Sequence, residues 1–404
     1  MNFPYFLAKR ITFMGHRTFS KLIVRVTIGA LALAISAIIL SVAILNGFKQ
    51  EIIEKQRGFF GDIVITKNDL SASFENTPIE LAPQTLAQLR TLPQVIDITP
   101  FATKAGIMNV NGEVEGVLLK GVDKSYNQLY IQKNIIQGDT LNFSDGGDTQ
   151  LLISEYLANR LGLNVGDKFI MYFIQEPIRR RPFTIQGIYT THTEELDKTY
   201  VIGSLDLIRR LNNLEENEVG AYQIRIKAFD SLENTTAQIN NILPSQMDAS
   251  NIVQQMPDIF NWLNMLDMND NIIFVLMVIV AVINMISALL ISILERSSMI
   301  GILKALGYPS AGIRQVFLYG SIYLIGVGLI IGNLIALFLY FFQTNTHFFT
   351  LDPYTYYIPY VPMYITWYEV VGLNVAVIII GMLTLFIPTM LISRISPIKT
   401  IQFK

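Results

Sequence analysis

The sequence predicts an α-helical membrane protein with four transmembrane helices and one large extracytoplasmic α+β domain inserted between the first two. Three observations carry this. Charged residues are 15% of the 404, against about 25% in ordinary soluble chains, and mean hydropathy is +0.41. The deficit is confined to four charge-free windows, Val26 to Phe48, Asn271 to Leu294, Gln315 to Leu351 and Val370 to Ser393. Between the first and second lie 222 residues, 49–270, with 19 basic and 29 acidic side chains, the balance of a water-exposed domain.

Residues 1–21 come first. Phe3, Phe6, Leu7, Ile11, Phe13 and Met14 alternate with Lys9, Arg10 and Arg17. This reads either as an amphipathic helix in the cytoplasmic interface or as an unstructured basic leader. The first span, 22–48, is longer than the roughly 7–15 residues of a signal-peptide core and has no A-x-A-like cleavage site, so it reads as an uncleaved anchor. The others are expected at 271–294, 316–342 and 369–393, each long enough for a hydrocarbon core of about 30 Å. The polar and aromatic surplus after the third span begins a short extracytoplasmic loop, 343–368. Small residues at helical spacing (Ala30, Ala34, Ala37 and Ser41; Gly328 and Gly332) allow close helix packing in lipid. Pro388 predicts a kink near the end of the fourth span.

Orientation follows from charge. Lys9, Arg10, Arg17, Lys21 and Arg25 precede the first span with no acid among them; Arg296, Lys304 and Arg314 outnumber Glu295 in the 295–315 connection. The tail 394–404 holds Arg394, Lys399 and Lys404, while 343–368 has no Lys or Arg. The positive-inside rule puts both termini and 295–315 in the cytoplasm. The 49–270 domain is then outside, with a net charge of −10 that argues against a nucleic-acid partner.

Within that domain, strands are predicted over Asp62 to Lys67, Val95 to Val110, Val114 to Val122, Lys168 to Ile174, Phe183 to Tyr189, Thr199 to Ile202 and Val219 to Phe229. Helices are predicted over Pro83 to Leu92, Leu152 to Leu161, Leu205 to Leu211 and Leu232 to Leu243, with a turn at Asn111-Gly112. The intermixing fits α+β. With no cysteine the domain depends on its own core.

Catalytic motifs are lacking. G-x-x-x-x-G-K-[ST], H-E-x-x-H, C-x-x-C and G-x-S-x-G do not occur, so no ATP site, cofactor site or catalytic residue is expected in this chain. A metal site is not expected either: His192, in His-Thr-Glu-Glu-Leu-Asp, reads as a ligand or, more simply, as part of a solvated loop. The spans lack ionisable groups between their ends, which disfavours ion-coupled transport.

The informative segment is Glu295 to Phe317 (ERSSMIGILKALGYPSAGIRQVF): a charged pair, a short helical stretch, and a break at Gly307-Tyr308-Pro309. Such a helix suits docking into a groove of a peripheral protein, or is a plain interfacial turn. It resembles the E-[RK]-x-x-E-I-[GA]-[IV]-L-[KR]-A-[LI]-G signature of FtsX/MacB-type ABC-transporter permeases through Glu295, Arg296, Ile300, Gly301, Ile302, Leu303, Lys304, Ala305, Leu306 and Gly307, with Met299 where that family often has an acid. Ser41-Val42 with Asn46-Gly47-Phe48 is similar to an element of the lipoprotein-releasing LolC/LolE branch. So are Trp262 with Leu266-Asp267, Leu157 to Asp167, Tyr356-Tyr357-Ile358 with Val361-Pro362, and the ending Ser396-Pro397-x-x-Thr400-Ile401.

The resemblance implies a MacB-like periplasmic core for 49–270 and a location in the inner membrane. It implies a permease dimer, with a second copy or a paralogue, driven by separate cytoplasmic ABC ATPase subunits that bind the ATP. Glu295, Arg296, Ile300, Gly301, Leu303, Lys304, Leu306 and Gly307 would form the ATPase-coupling helix. The implied function is release of lipoproteins from the membrane, with a periplasmic carrier as a further partner. Phe48, Ile52, Phe59, Phe60, Trp262, Leu263 and Leu266 are substrate-contact candidates, or else interfacial anchors. The carrier-recruiting hairpin of LolC-type proteins corresponds here to the short Gln175 to Pro182, whose Arg179, Arg180 and Arg181 either dock an acidic partner or form a solvated loop. The competing readings are an FtsX-like transmitter that activates a cell-wall hydrolase, and a membrane-anchored binding module without an ATPase.

Overall fold

The computed structural model describes residues 3–14, 18–69, 75–110, 112–126, 128–143, 147–356, 358–390 and 392. The tail 394–404, with its Ser396-Pro397 ending, lies outside them, as do Asn111 and Tyr357. The chain opens with α1 (Phe3–Met14) and α2 (Thr18–Phe60). Then follow β1 (Ile63–Lys67), α3 (Pro83–Thr91), β2 (Val95–Val110), β3 (Glu113–Val122), α4 (Gln128–Asn134), β4 (Ile135–Gly138), β5 (Gln150–Ser154) and α5 (Glu155–Leu161). Next are β6 (Lys168–Phe173), β7 (Arg179–Tyr189), α6 (Glu194–Thr199), β8 (Tyr200–Ser204), α7 (Leu205–Asn212), β9 (Ala221–Ile226), α8 (Leu232–Ile242), β10 (Met247–Asn251) and α9 (Ile252–Gln255). The chain closes with α10 (Pro257–Glu295), α11 (Ser297–Ala305), α12 (Ser310–Thr346), α13 (Pro353–Tyr356) and α14 (Trp367–Thr389).

Four of these helices, α2, α10, α12 and α14, are long and apolar enough to cross a membrane. Two of them, α2 and α10, overrun their charge-free windows by more than ten residues. At 1.5 Å per residue, the 43 residues of α2 span about 65 Å, twice a hydrocarbon core. Charge does not stop the helix, because Glu51, Glu54, Lys55 and Arg57 are good helix formers and Glu54 pairs with Arg57 at 2.5 Å. It ends where Gly61 takes φ +79° and its N–H returns to the Arg57 carbonyl at 2.9 Å. At the other end of the inserted segment, α10 starts on Pro257 with Asp258 in its first turn, the preferred chemistry for a helix N-terminus.

The chain divides into two compact units. One comprises residues up to Gln50, Trp262–Thr350 and Val361 onward. Its core sets Leu31 and Ile35 of α2 among Met285, Leu289, Phe317, Ile325 and Val377. The two glycines of α12 do pack closely on α2, against Leu31 and Ala32 and not against the Ala30, Ala34, Ala37 and Ser41 row: a Cβ on Gly328 would stand 2.7 Å from Leu31, and one on Gly332 2.8 Å from the Ala32 carbonyl oxygen. Asn333 and Asn374 exchange amide hydrogen bonds of 2.7 and 3.0 Å between α12 and α14, polar glue inside the bundle. Pro388 falls in the last turn of α14.

The second unit, Glu51–Asn261 with Leu351–Tyr360, is built on one mixed sheet in the order β10-β1-β9-β2-β3-β8-β5-β7-β4. β6 pairs with both β2 and β7, so β2, β3, β8, β5, β7 and β6 close into a ring. Two pairings are parallel, β3 with β8 and β5 with β7. Several expectations need correction. Leu152 to Ser154 is strand, because the helix waits for Ser154 to cap it, accepting from Leu157 N–H at 3.1 Å. Arg179 to Pro182 is the start of β7, registered against β6 from Phe173↔Arg179 to Ile170↔Pro182. The Val219 to Phe229 strand shrinks to Ala221–Ile226, and α4, β4, α6 and β10 were not anticipated.

Candidate functional site

The connection between α10 and α12 holds α11, nine residues long. Ile300 and Gly301 are buried and Leu303 is half-buried against the helix-bundle core. Lys304 donates to the Ile392 carbonyl at 2.7 Å. The opposite face is open: Ile302 is 50% and Leu306 78% exposed, with Ser298 and Ala305 beside them. The helix closes on Gly307 at φ +83°, whose N–H returns to the Lys304 carbonyl while Tyr308 N–H reaches Leu303, a left-handed C-terminal cap. The eight residues singled out in this loop therefore divide. Ile300, Gly301, Leu303 and Lys304 seat the helix on its own chain, Glu295 and Arg296 are half-buried, and Leu306 and Gly307 face outward. Ile302 was not among those eight; its place four residues before Leu306 was the signal for a shared outward face.

Two elements more than 300 residues apart in sequence meet in the same unit. Asn46 donates to Glu369 at 2.9 Å, Tyr364 N–H bonds the Ala43 carbonyl at 2.8 Å, and Gly47 lies against the Pro362 backbone. Glu369 also accepts from Thr366 N–H (2.8 Å) and Oγ1 (2.6 Å), capping α14. Asn46-Gly47 and Val361-Pro362 thus form one joint.

In the second unit, the end of α2 is locked into the sheet. Arg57 forms a buried fork on Asp62 through Nε and Nη2 and also donates to the Ile226 carbonyl at 3.0 Å. The Phe59 carbonyl accepts from Lys120 Nζ and from Tyr126 Oη at 3.1 Å. Lys120 also donates to Gln223 at 3.1 Å and stands 4.5, 5.0 and 4.9 Å from the ring centres of Phe59, Phe101 and Tyr126. This ammonium at a helix C-terminus is fully buried, and desolvation lowers its pKa from 10.5 to about 7. Lys55 donates to the Thr191 carbonyl at 3.0 Å. The His192 segment is not a solvated loop: buried Asp197 gathers Thr190 and Thr191, and desolvation raises the Asp197 pKa despite these bonds.

The structure splits the substrate-contact candidates. Ile52, Phe59 and Leu263 are buried (2, 0 and 2% exposed), so they are packing residues. Phe59 belongs to the second unit's core and Phe60 packs on it. Phe48 and Leu266 are half-buried, and Trp262 is 36% exposed. Arg180 and Arg181 are exposed, but Arg179 is spent on the carbonyls of Arg210 and Leu211 at 3.0 and 2.8 Å. The tip between β6 and β7 exposes Ile174 and Ile178 instead (67 and 70%).

Comparison with known proteins fits this architecture. Residues 26–242, more than half of the chain, match the MacB-like periplasmic core domain. The chain belongs to that family. Residues 271–397 match the FtsX-like permease C-terminal domain, so the protein is an ABC-transporter-type permease that combines membrane helices with a MacB-like domain. The lipoprotein-releasing system transmembrane protein LolC of Neisseria meningitidis is 22% identical over 85% of both chains. The corresponding LolE of Haemophilus influenzae is 21% identical over the full length of both. Among solved structures, the periplasmic region of MacB from Actinobacillus actinomycetemcomitans is 16% identical, covering 52% of this chain and 99% of its own, with a TM-score of 0.35.

Proposed function

We propose that this permease is the membrane subunit of an ABC transporter that releases lipoproteins from the inner membrane, driven by a separate ATPase. One observation carries the coupling half of this reading. α11 is seated on its own bundle by Ile300 and Gly301 yet leaves Ile302 and Leu306 bare, the apolar anchors of a helix laid into a partner's groove. The lysines and arginines beside the charge-free stretches of α2, α10 and α12 support a cytoplasmic α11, where an ATPase finds its nucleotide, and with it a periplasmic second unit. A second permease, the same chain or a paralogue, completes the pair.

Lipoprotein release rests on the LolC and LolE relatives, which align along nearly the whole chain, and on the apolar stripe that α10 leaves open: Met265, Met268, Ile272 and Leu276, each more than half exposed. A periplasmic carrier would meet the second unit at the β6–β7 tip. Affinity purification from native membranes followed by mass spectrometry tests the assembly. Recovery of an ABC ATPase with lipoproteins is expected; recovery of an ATPase with a cell-wall hydrolase and no lipoprotein would replace release by an FtsX-like signalling role.

A further inference from the structure

Inside the membrane unit lies a cavity of about 180 Å³ walled by α1, α2, α10, α12 and α14. Its lining changes character along its depth. Arg25 and Arg296 contribute to it, and so do Leu31, Met285, Phe317 and Leu385. Arg25 immediately precedes the charge-free window of α2, and Arg296 lies two residues after that of α10. Phe317 is near the start of the third window and Leu385 near the end of the fourth. All therefore belong to the same end of the spans, with two guanidinium groups at headgroup level. Along the helices Leu31 lies about 9 Å and Met285 about 16 Å inward of the arginines.

We infer that this cavity is a binding site for an anionic phospholipid, its phosphate held by Arg25 and Arg296 and the upper part of one acyl chain lying on the apolar wall. Basic pockets between transmembrane helices hold lipid headgroups in this manner. A free anion would gain nothing from the apolar depth, and a peptide would leave backbone polar groups unsatisfied there. The size is that of a chain segment: an apolar cavity of about 150 Å³ takes one benzene, so most of the lipid stays in the bilayer. The site is at the α11 end of the bundle and involves none of the α10 residues proposed for the lipoprotein, so it stands apart from the transport reading.

The test is native mass spectrometry of the delipidated full-length protein in detergent, titrated with dioleoyl phosphatidylglycerol or dioleoyl phosphatidylcholine. Phosphatidylglycerol should bind at least tenfold more tightly. Arg25→Gln should weaken it about fivefold, one arginine's share of an anionic-lipid contact, and Arg25→Lys should restore most of the loss. Ala288→Leu narrows the cavity, which Ala288 lines, without altering charge, and should weaken phosphatidylglycerol too. Equal affinity for the two lipids, or unchanged affinity in both Arg25→Gln and Ala288→Leu, overturns the proposal. Full displacement of phosphatidylglycerol by millimolar inorganic phosphate also overturns it, by showing a phosphate site that ignores the chain.

Discussion

Gly47 and Pro362 touch so closely that a Cβ on Gly47 would stand 2.6 Å from the Pro362 carbonyl oxygen. Backbone atoms cannot rotate out of the way, so the joint tolerates only glycine in this helix. Alanine is otherwise favoured over glycine in a helix by about 1 kcal/mol, which makes the sign of Gly47→Ala informative. We expect Gly47→Ala to destabilise by about 1–3 kcal/mol, read as a fall of several degrees in the Tm of the purified protein. A higher Tm would mean that the joint yields and propensity wins.

The outward face of α11 yields the second prediction. Ile302→Glu or Leu306→Glu places a carboxylate where an apolar groove would close, and should reduce co-purified ATPase at least tenfold, about 1.4 kcal/mol or more. Both side chains are exposed in the permease itself, so its own Tm should hold. Gly301→Trp should behave differently. Gly301 is buried against its own chain, so the variant should lose stability rather than merely uncouple. Unchanged ATPase recovery in both glutamate variants would remove α11 from the interface.

How much of this was legible in the sequence differs by element. The four apolar windows and the α11 break at Gly307 were readable, because lipid length and a left-handed cap leave plain residue patterns. The inward and outward faces of α11 were not, since Ile300, Ile302 and Leu303 are equally apolar and only packing separates them. The ends of α2 and α10 were misplaced for a related reason: a charge ends a membrane window but does not end a helix. Lys120 escaped notice because a lysine with no acid partner reads as surface. The apolar neighbours on both sides, Val117 to Leu119 and Val122, were the available signal, and the structure buries all six residues from Val117 to Val122.

Lys120 gives a pH prediction. In the fold its ammonium titrates near 7, against 10.5 for the ordinary side chain. Between those values the unfolded chain keeps a proton that the fold has released, so stability rises with pH; below 7 both forms hold it and the slope vanishes. From pH 7 to 9 the wild type should gain roughly 1 kcal/mol per pH unit over Lys120→Met, which lacks the titrating group. Denaturation of the two full-length proteins at several pH values measures this. Parallel profiles would mean that the Phe59 carbonyl and the surrounding rings keep the ammonium charged throughout.

Orientation can be checked directly, because the chain has no cysteine. Ser298→Cys on α11 and Glu176→Cys at the β6–β7 tip are both at exposed positions. In intact cells a membrane-impermeant maleimide should label the second once the outer membrane is permeabilised, and the first only after the inner membrane is broken. The reverse pattern would overturn the charge-based topology and the placement of the ATPase with it.

The substrate prediction moves to the face the structure leaves open. Withdrawing acyl chains from a bilayer costs roughly 0.8 kcal/mol per methylene, so release calls for ATP and for an apolar surface that receives the chains as they leave. Ile52, Phe59 and Leu263 are unavailable, being at most 2% exposed. On α10, Met265 and Met268 are 57 and 60% exposed and precede the charge-free window that begins at Asn271, where chains would emerge. Side chains three residues apart share a helix face, and unbranched methionines adapt to irregular partners. Met265→Asp and Met268→Asp should therefore block lipoprotein release by reconstituted complexes while ATPase assembly persists, whereas Leu263→Asp should fail earlier, at folding. Depleting the protein should strand lipoproteins in the inner membrane. If both methionine variants release lipoproteins normally, the stripe is a lipid-facing or permease-pairing surface; if depletion spares lipoprotein sorting but stops cell-wall cleavage at division, the FtsX-like reading takes over.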